Sequence, residues 1–509
     1  MLVLNQALGW LSANYLGGLP IDRIATVFSV LLSYLLAHLF RRIPATNPSA
    51  RHLFSIVSSV LLFGLVQEQY LGLVHLTIGA LVIYALMRSL RGSLMPKAVF
   101  LVAMLHMSYS QLRRQWGEQA TEDGQVSFDY TGAQMVFVIK VTSLAFCLYD
   151  GQQLHQDATA LSAYQTKNAI AVDSVPSLLE YLGYVFFFPG FAVGPAFEMS
   201  TYRRMISFDS APHRRQLNAR AYSTLLVGLF WMAVYIVYNP SFTFLHLTTS
   251  EFRHKGTVAK AIYLCTTGVV VRAAYYTAWK MSEGACILAG LGFDGFDELD
   301  GSVRWIDISN VHISSVELGT SIRELIDGWN IGTNTWLRHH VYLRIMVAKN
   351  TTTRRKSPSS SSSSAKHVPP QSSSSTAATV LTFLVSAWWH GFYPGYYLTF
   401  VIAALVSSAA RTLRRNLNPL VAQSNSDNLR LAYNVAGWAL SKYTLDFAVS
   451  PFMVLTLPLS VSAWRNNYFS VPIAVVVIHL AFNVLGGGRY ARKYLAVAAA
   501  DAKRDSSKI

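Results

Sequence analysis

A histidine follows two tryptophans and precedes a glycine in Trp388-Trp389-His390-Gly391, inside a stretch that is otherwise apolar. An ionisable side chain at membrane depth is costly to place there, so it marks a functional site by default. A neutral imidazole can take up a proton near pH 7, which suits general-base chemistry on a hydroxyl. The same residue on an apolar helix also serves as a structural hydrogen-bond partner, and paired tryptophans also mark a membrane interface.

A second polar constellation lies upstream, where Ser321–Arg344 reads SIRELIDGWNIGTNTWLRHHVYLR. Ile322, Leu325, Ile326 and Trp329 recur at helical spacing, with Arg323, Glu324 and Asp327 on the other face. Asn330 and Asn334 would share a face if that helix continued. An interfacial helix with aromatic anchors and snorkelling arginines explains the composition equally well.

The elements that must position these residues are membrane helices. Of 509 residues, 52% are hydrophobic and 13% charged, with a mean hydropathy of +0.32. A soluble domain carries about 25% charged residues. Candidate spans are Ile24–Leu39, Leu53–Val66, Leu71–Leu86, Val99–Met107, Met135–Leu148, Tyr181–Val193 and Tyr222–Val237. Ala261–Tyr276, Thr379–Trp389, Tyr396–Val406, Val435–Leu457 and Val471–Leu485 follow. Several are shorter than the ~20 residues that cross a bilayer core. Such short, Gly- or Pro-broken segments are tolerated where they line a cavity buried in protein. The expected fold is an all-α multispan integral membrane protein with an internal cavity. The continuous apolar runs lack the period of two of a β-barrel. The N-terminus has no basic region or clear cleavage site, so the first spans are expected to remain as anchors.

Net charge is +16, which basic cytoplasmic loops account for. No soluble basic domain is present to bind nucleic acid. Some of the basic residues are further candidates to meet a lipid head group or a cofactor phosphate. Cys147, Cys265 and Cys286 lie in or beside apolar runs without metal-ligand spacing, so they read as buried small hydrophobes and no metal site is expected.

Arg354–Thr376 breaks the pattern, being basic, Pro-containing and Ser-rich. Such composition buries too little apolar surface to order, so 354–376 reads as a disordered loop inside one membrane domain, 1–509. The tail 494–509 is charged. The Arg354–Lys356 and Arg411–Arg415 clusters place both flanks of the histidine segment on the cytoplasmic side. The chain between them enters and returns, either as two short spans or as a re-entrant hairpin turning at Tyr393-Pro394-Gly395, with His390 near the inner end of that hairpin.

WHGFYPGYYLTF (Trp389–Phe400) resembles the WHGxxxGYxxxF signature of the lysophospholipid branch of the membrane-bound O-acyltransferase (MBOAT) family, matching at Trp389, His390, Gly391, Gly395, Tyr396 and Phe400. WNIGTNTWLRHHVYLR resembles that family's asparagine segment, with Asn330 after Trp329. Tyr181–Glu198, Lys140–Gly151 and Trp279–Gly292 resemble further stretches, and the pattern is closest to fungal enzymes of broad lysophospholipid specificity. The FYxDWWN string of the sterol and diacylglycerol branch is absent. Asparagine and histidine lie further apart here than is usual in the family, and the Ser-rich insertion accounts for the excess.

The resemblance implies an endoplasmic reticulum membrane enzyme of the MBOAT fold, with about 10–11 helices around an internal catalytic tunnel. It would move a fatty acyl group from acyl-CoA, a co-substrate rather than a bound cofactor, to the free hydroxyl of a lysophospholipid. His390 would be the general base, and Asn330 would orient the acceptor or donate to the oxyanion. Trp389, Gly391, Tyr396, Trp336, Arg338, Tyr342 and Arg344 would bind substrate, with Arg338 and Arg344 facing the CoA phosphates or else snorkelling. Glu198 and Glu283 read either as helix-packing groups or as partners of a cationic head group. A protein or other lipid acyltransferase of the same fold is the alternative. A lipid transporter or scramblase would need paired repeats or an ion site, and the sequence has neither.

Overall fold

Inside a bilayer no water satisfies a free backbone group, so apolar runs fold into helices that bond internally. The computed structural model describes residues 2–15, 20–120, 129–154, 172, 174–209, 213–297, 303–346, 376–423 and 426–490. The Ser-rich loop up to residue 375 and the tail 494–509 lie outside the described residues.

The chain begins with α1 (Leu2–Tyr15), α2 (Ile21–Phe40), α3 (Pro48–Val66), α4 (Tyr70–Ser89), α5 (Leu94–Ala120) and α6 (Thr131–Leu154). Short helices α7 (Leu178–Val185) and α8 (Met199–Ser207) precede α9 (Arg214–Tyr238). Then come α10 (Ser250–His254) and the 32-residue α11 (Thr257–Leu288). A small antiparallel ribbon, β1 (Phe293–Phe296) with β2 (Val303–Trp305), is an addition to the expected all-helical chain. Three short helices follow, α12 (Ile313–Leu318), α13 (Ile322–Gly328) and α14 (Ile331–Trp336), the last running into a π-helical turn at Leu337–Tyr342. The last part holds α15 (Thr376–His390), α16 (Pro394–Gln423), α17 (Asp427–Val454), α18 (Leu457–Asn466) and α19 (Ser470–His479).

Among the described residues, α2, α3, α4, α6, α9, α11 and α16 are long and apolar enough to cross a membrane. The pair α18 with Ser470–Val484 would add one more as a span bent by 74°. The chain is a multi-pass membrane protein. Within the apolar window of α6, 83% of residues are buried, against 11% in α9, so α6 is the central helix and α9 the peripheral one.

The expected spans Val99–Met107, Thr379–Trp389 and Val435–Leu457 fall on α5, α15 and α17, which are helical but not among the helices long and apolar enough to cross, and a fourth expected span is not a helix throughout. Tyr181–Val193 is not a continuous helix: α7 ends at Val185, and turns carry the chain through Pro189, Gly190 and Gly194. Proline lacks the donor that a helix needs, and Gly194 stands at φ +88°. Interior polar groups cap the freed carbonyls. Lys140 on α6 donates to the Tyr184 and Val185 carbonyls, and Ser59 donates to Phe186 at 2.7 Å. The break is therefore tolerated because it is buried in protein.

A set of buried charges joins three elements. Arg272 of α11 donates to Glu317 of α12 at 2.8 Å and also bonds Asp446 of α17. Lys442 of α17 bonds Glu317, and the Tyr276 hydroxyl donates to it at 2.6 Å. Two cations face two anions, so the set is neutral as a whole. Removing one member of such a set strands a buried charge, at a cost of about 3–5 kcal/mol.

α15 and α16 form a hairpin that turns at residues 391–393, ahead of the expected Tyr393-Pro394-Gly395, because Pro394 and Gly395 already begin α16. Its geometry depends on Gly395, whose amide donates to the Leu455 carbonyl at 2.8 Å where α17 ends. A Cβ there would stand 2.0 Å from the Pro451 oxygen and 2.8 Å from the Leu455 oxygen. Both are backbone atoms and cannot rotate away. Gly395→Ala is expected to pry α16 from α17 and to destabilise the protein by about 1–3 kcal/mol. Thermal unfolding in detergent reads this out, and a variant melting with the parent would contradict it.

Candidate active site

His390 is the last residue of α15. Gly391 ends the helix, its amide shared between the Ala387 and Trp388 carbonyls at 3.1 Å each, at φ +127°. Side chains avoid that region of backbone space, which gives the glycine of the motif its physical reason. The imidazole is half-buried in an aromatic box. Trp389 lies 4.7 Å away between ring centroids, Phe452 of α17 4.9 Å, Phe400 5.2 Å and Tyr396 5.8 Å. Neither ring nitrogen has a hydrogen-bond partner among the described residues. The structural hydrogen-bonding role open to this histidine from sequence is thus unfilled, and both nitrogens are available to a substrate.

The helix end is pinned from outside. Gln111 of α5 donates to the Trp389 carbonyl at 2.8 Å, Trp389 Nε1 donates to the Met135 carbonyl of α6 at 3.2 Å, and Trp388 Nε1 donates to Ser108 at 2.7 Å. Trp336 of α14 donates to Thr142 of α6 at 2.9 Å and packs 6.1 Å from Trp389. This contact brings the asparagine segment to the histidine segment. Gln111, Ser108 and Thr142 were missed from sequence, since single polar residues on apolar helices carry no periodic signal.

Asn330 departs from its sequence reading. It does not share a helical face with Asn334: Trp329 is extended after α13, and Asn330 sits before α14 in the left-handed region at φ 44°, ψ 54°. Asparagine tolerates this conformation better than most residues. The proposed amphipathic stripe therefore stops at Gly328. Asn330 Oδ1 accepts from Thr333 Oγ1 at 2.9 Å and from Asn310 Nδ2 at 3.2 Å. Its amide nitrogen has no partner among the described residues. Asn334 Nδ2 instead donates to the Ile326 carbonyl at 3.2 Å, a local structural bond.

His390, Trp389, Gly391, Tyr396 and Trp336 come together around the α15 turn. Arg338, Tyr342 and Arg344 lead away from it along the π-helical turn. Arg344 is not free: it grips Asp150 through bonds of 3.1 and 2.5 Å and lies 4.2 Å from the Phe146 ring centroid. Asp150 and Met135 are separated by roughly 22 Å along α6 at about 1.5 Å per residue. The basic end and the histidine end thus occupy different depths. Arg338 is exposed and has no partner among the described residues.

Glu283 is a packing group, bonded to Lys280 and Ser309 at 2.7 Å each. Glu198 instead meets Cys147, whose thiol donates to it at 3.6 Å, and His340 at 3.8 Å. Cys147 is therefore more than a small hydrophobe. These three place ligand atoms within 4.8 Å of one another. His340 stacks on Phe146 at 5.4 Å, the same ring that carries the Arg344 guanidinium, so a fixed cation already neighbours the group and opposes a second.

The chain is a multi-pass helical membrane protein in which the His390 imidazole and the Asn330 carboxamide NH2 have no hydrogen-bond partner among the described residues. The chain belongs to the membrane-bound O-acyltransferase family, whose model matches residues 52–359 and 367–440. It is 33% identical over 486 residues to the lysophospholipid acyltransferase of Schizosaccharomyces pombe, covering 92% of this chain and 88% of that protein. It is 30% identical to the lysophospholipid acyltransferase of Saccharomyces cerevisiae, covering 93% and 75%. It is 29% identical to membrane-bound glycerophospholipid O-acyltransferase 1 of Homo sapiens, covering 91% and 89%.

Proposed function

We propose that this chain transfers a fatty acyl group from acyl-CoA to the free hydroxyl of a lysophospholipid, in the endoplasmic reticulum membrane. The observation that carries the reading is the imidazole of His390, held in an aromatic box with both nitrogens unbonded, in a chain similar over nine-tenths of its length to lysophospholipid acyltransferases. His390 accepts the proton of the acceptor hydroxyl as its oxygen attacks the thioester carbonyl. Asn330 Nδ2 donates to the developing oxyanion, a contribution of about 2.7–4 kcal/mol where one such donor has been removed. The tetrahedral intermediate collapses, the C–S bond breaks, and the CoA thiolate takes the proton back from the imidazolium. The thioester is already activated, so no acyl-enzyme is needed and no bound cofactor takes part.

An apolar groove between α15 and α16, lined by Val380, Phe383, Leu384, Val401 and Leu405, ends on Phe400, which stacks on His390. With Val380, Leu384, Val401 and Leu405 exposed on the helix surface, it takes at most the segment of acyl chain beside the thioester. Arg338 suits the CoA phosphates, and the pantetheine arm spans the depth between the basic end and the histidine. Arg344, committed to Asp150, would have to share its guanidinium or leave that pair.

The test is an assay of the purified protein with acyl-CoA against lysophospholipids of several head groups, diacylglycerol, a sterol and an acceptor peptide. Free CoA and a diacyl phospholipid should appear with the lysophospholipids alone. Turnover confined to the peptide or the neutral lipids would overturn the reading.

The family match passes over residues 360–366, within the Ser-rich run. Deleting Ser357–Ser375 is expected to leave turnover within about twofold of the parent, because lengthening a loop adds only slowly to its closure cost. Normal expression with lost turnover would show that this segment completes the site.

A further inference from the structure

We infer that Asn310 is a positioning residue that fixes which end of the Asn330 carboxamide faces the substrate. The inference rests on the reading of Asn330 as a donor to the reacting carbonyl oxygen.

Asn310 precedes α12 and is 7% exposed. All three of its acceptor and donor groups used here reach the turn that carries Asn330. Its backbone carbonyl accepts from the Ile331 amide at 2.9 Å, its Oδ1 accepts from the Gly332 amide at 3.0 Å, and its Nδ2 donates to Asn330 Oδ1 at 3.2 Å.

The two ends of a carboxamide look alike in shape and differ only in hydrogen-bonding sense. Here the sense is forced by a group that cannot turn round. The Gly332 amide is a backbone donor, so the Asn310 atom facing it must be oxygen. The other end of Asn310 is therefore NH2 and must donate. The Asn330 atom that receives it must in turn be oxygen, and Thr333 Oγ1 donates to that same oxygen at 2.9 Å. The Asn330 NH2 is left pointing away from both, with no partner among the described residues. A relay of two carboxamides thus transmits the polarity of one backbone amide to the site. It also offsets the strain of holding Asn330 at φ 44°. Pre-organised donors of this kind need not reorient as charge develops.

Two substitutions separate this role from plain support of the fold. Asn310→Asp keeps the Gly332 bond but faces Asn330 with an acceptor, so the Asn330 carboxamide turns and presents oxygen to the site. Asn310→Ala loses both side-chain bonds and leaves Asn330 held by Thr333 alone. The expected order of kcat is parent, then Asn310→Ala down about 10-fold, then Asn310→Asp down about 10²-fold. The KM values for acyl-CoA and lysophospholipid should stay near those of the parent. Thermal stability should run the other way, with Asn310→Asp melting above Asn310→Ala. A structural role predicts that Asn310→Ala is the worse variant in both measurements, and that result overturns the inference. Should Asn310→Asp fail to fold, parent-like kcat in Asn310→Ala would overturn it alone, and a 10-fold loss at unchanged KM would support it. Asn330→Asp is the control on the reading beneath: full turnover there removes Asn330 from the chemistry. Loss there with parent-like kcat in Asn310→Asp removes only Asn310.

Discussion

His390→Ala is expected to lower kcat for acyl transfer by at least about 10²-fold while the protein remains folded, since a positioned general base contributes about 10²–10⁴-fold. The folded state should survive because the imidazole has no hydrogen-bond partner among the described residues. Its removal strands no buried donor or acceptor. What is lost is ring contact with Phe400, Phe452, Tyr396 and Trp389, while Gln111 and Met135 still hold the helix end through backbone carbonyls. Single-turnover acyl transfer beside a detergent melting curve makes the measurement. A folded variant keeping more than about a tenth of the parent kcat would remove His390 from the general-base role.

The second large effect falls on Asn330, and what it reports depends on the chosen replacement. Alanine at φ 44° adds strain of about 1–2 kcal/mol to the lost donor, so Asn330→Ala mixes two causes. Asn330→Asp keeps an oxygen for Asn310 and Thr333 and loses only the NH2. It should fold and lose about 10²–10³ in kcat, as expected for one oxyanion donor. Asn334→Ala removes a bond to the Ile326 carbonyl and should retain substantial activity. An inactive Asn334→Ala beside an active Asn330→Asp would shift the site by one helical turn.

Much of this centre is legible in the sequence because its residues are neighbours there. Trp389, His390, Gly391, Tyr396 and Phe400 fall within one short string, and the hairpin that brings them together is local. Apolar periodicity likewise locates α2, α3, α4, α6, α9, α11 and α16, since each is a continuous run. What fails is the inference from apolar content to helix at Tyr181–Val193, where proline and glycine end the helix and buried donors from α3 and α6 make the break tolerable. Those donors are distant in sequence. Partnerships across long separations leave no local trace either: Asp150, which claims Arg344, lies 194 positions away, and Gln111, which holds the Trp389 carbonyl, lies 278 away. The conformation of Asn330 was illegible for a different reason. The helical spacing around it is real on both sides, and nothing in residue type marks the single left-handed residue that separates α13 from α14.

The neutral charge set joining α11, α12 and α17 bears on the order in which the chain is made. Arg272 leaves the ribosome 174 residues before Asp446 and 45 before Glu317. An arginine at the centre of a lone helix costs about 2.5–3.5 kcal/mol on insertion. During synthesis α11 therefore reaches the lipid with its cation unmatched. Its charge is matched once α12 docks with Glu317, and α17 then adds one cation and one anion of its own, Lys442 and Asp446. The unmatched interval is thus the 45 residues between Arg272 and Glu317, and the 174 to Asp446 add no further imbalance. The late arrival of α17 also brings Phe452 to the imidazole, so the aromatic box around His390 closes with the same helix that completes the charge set.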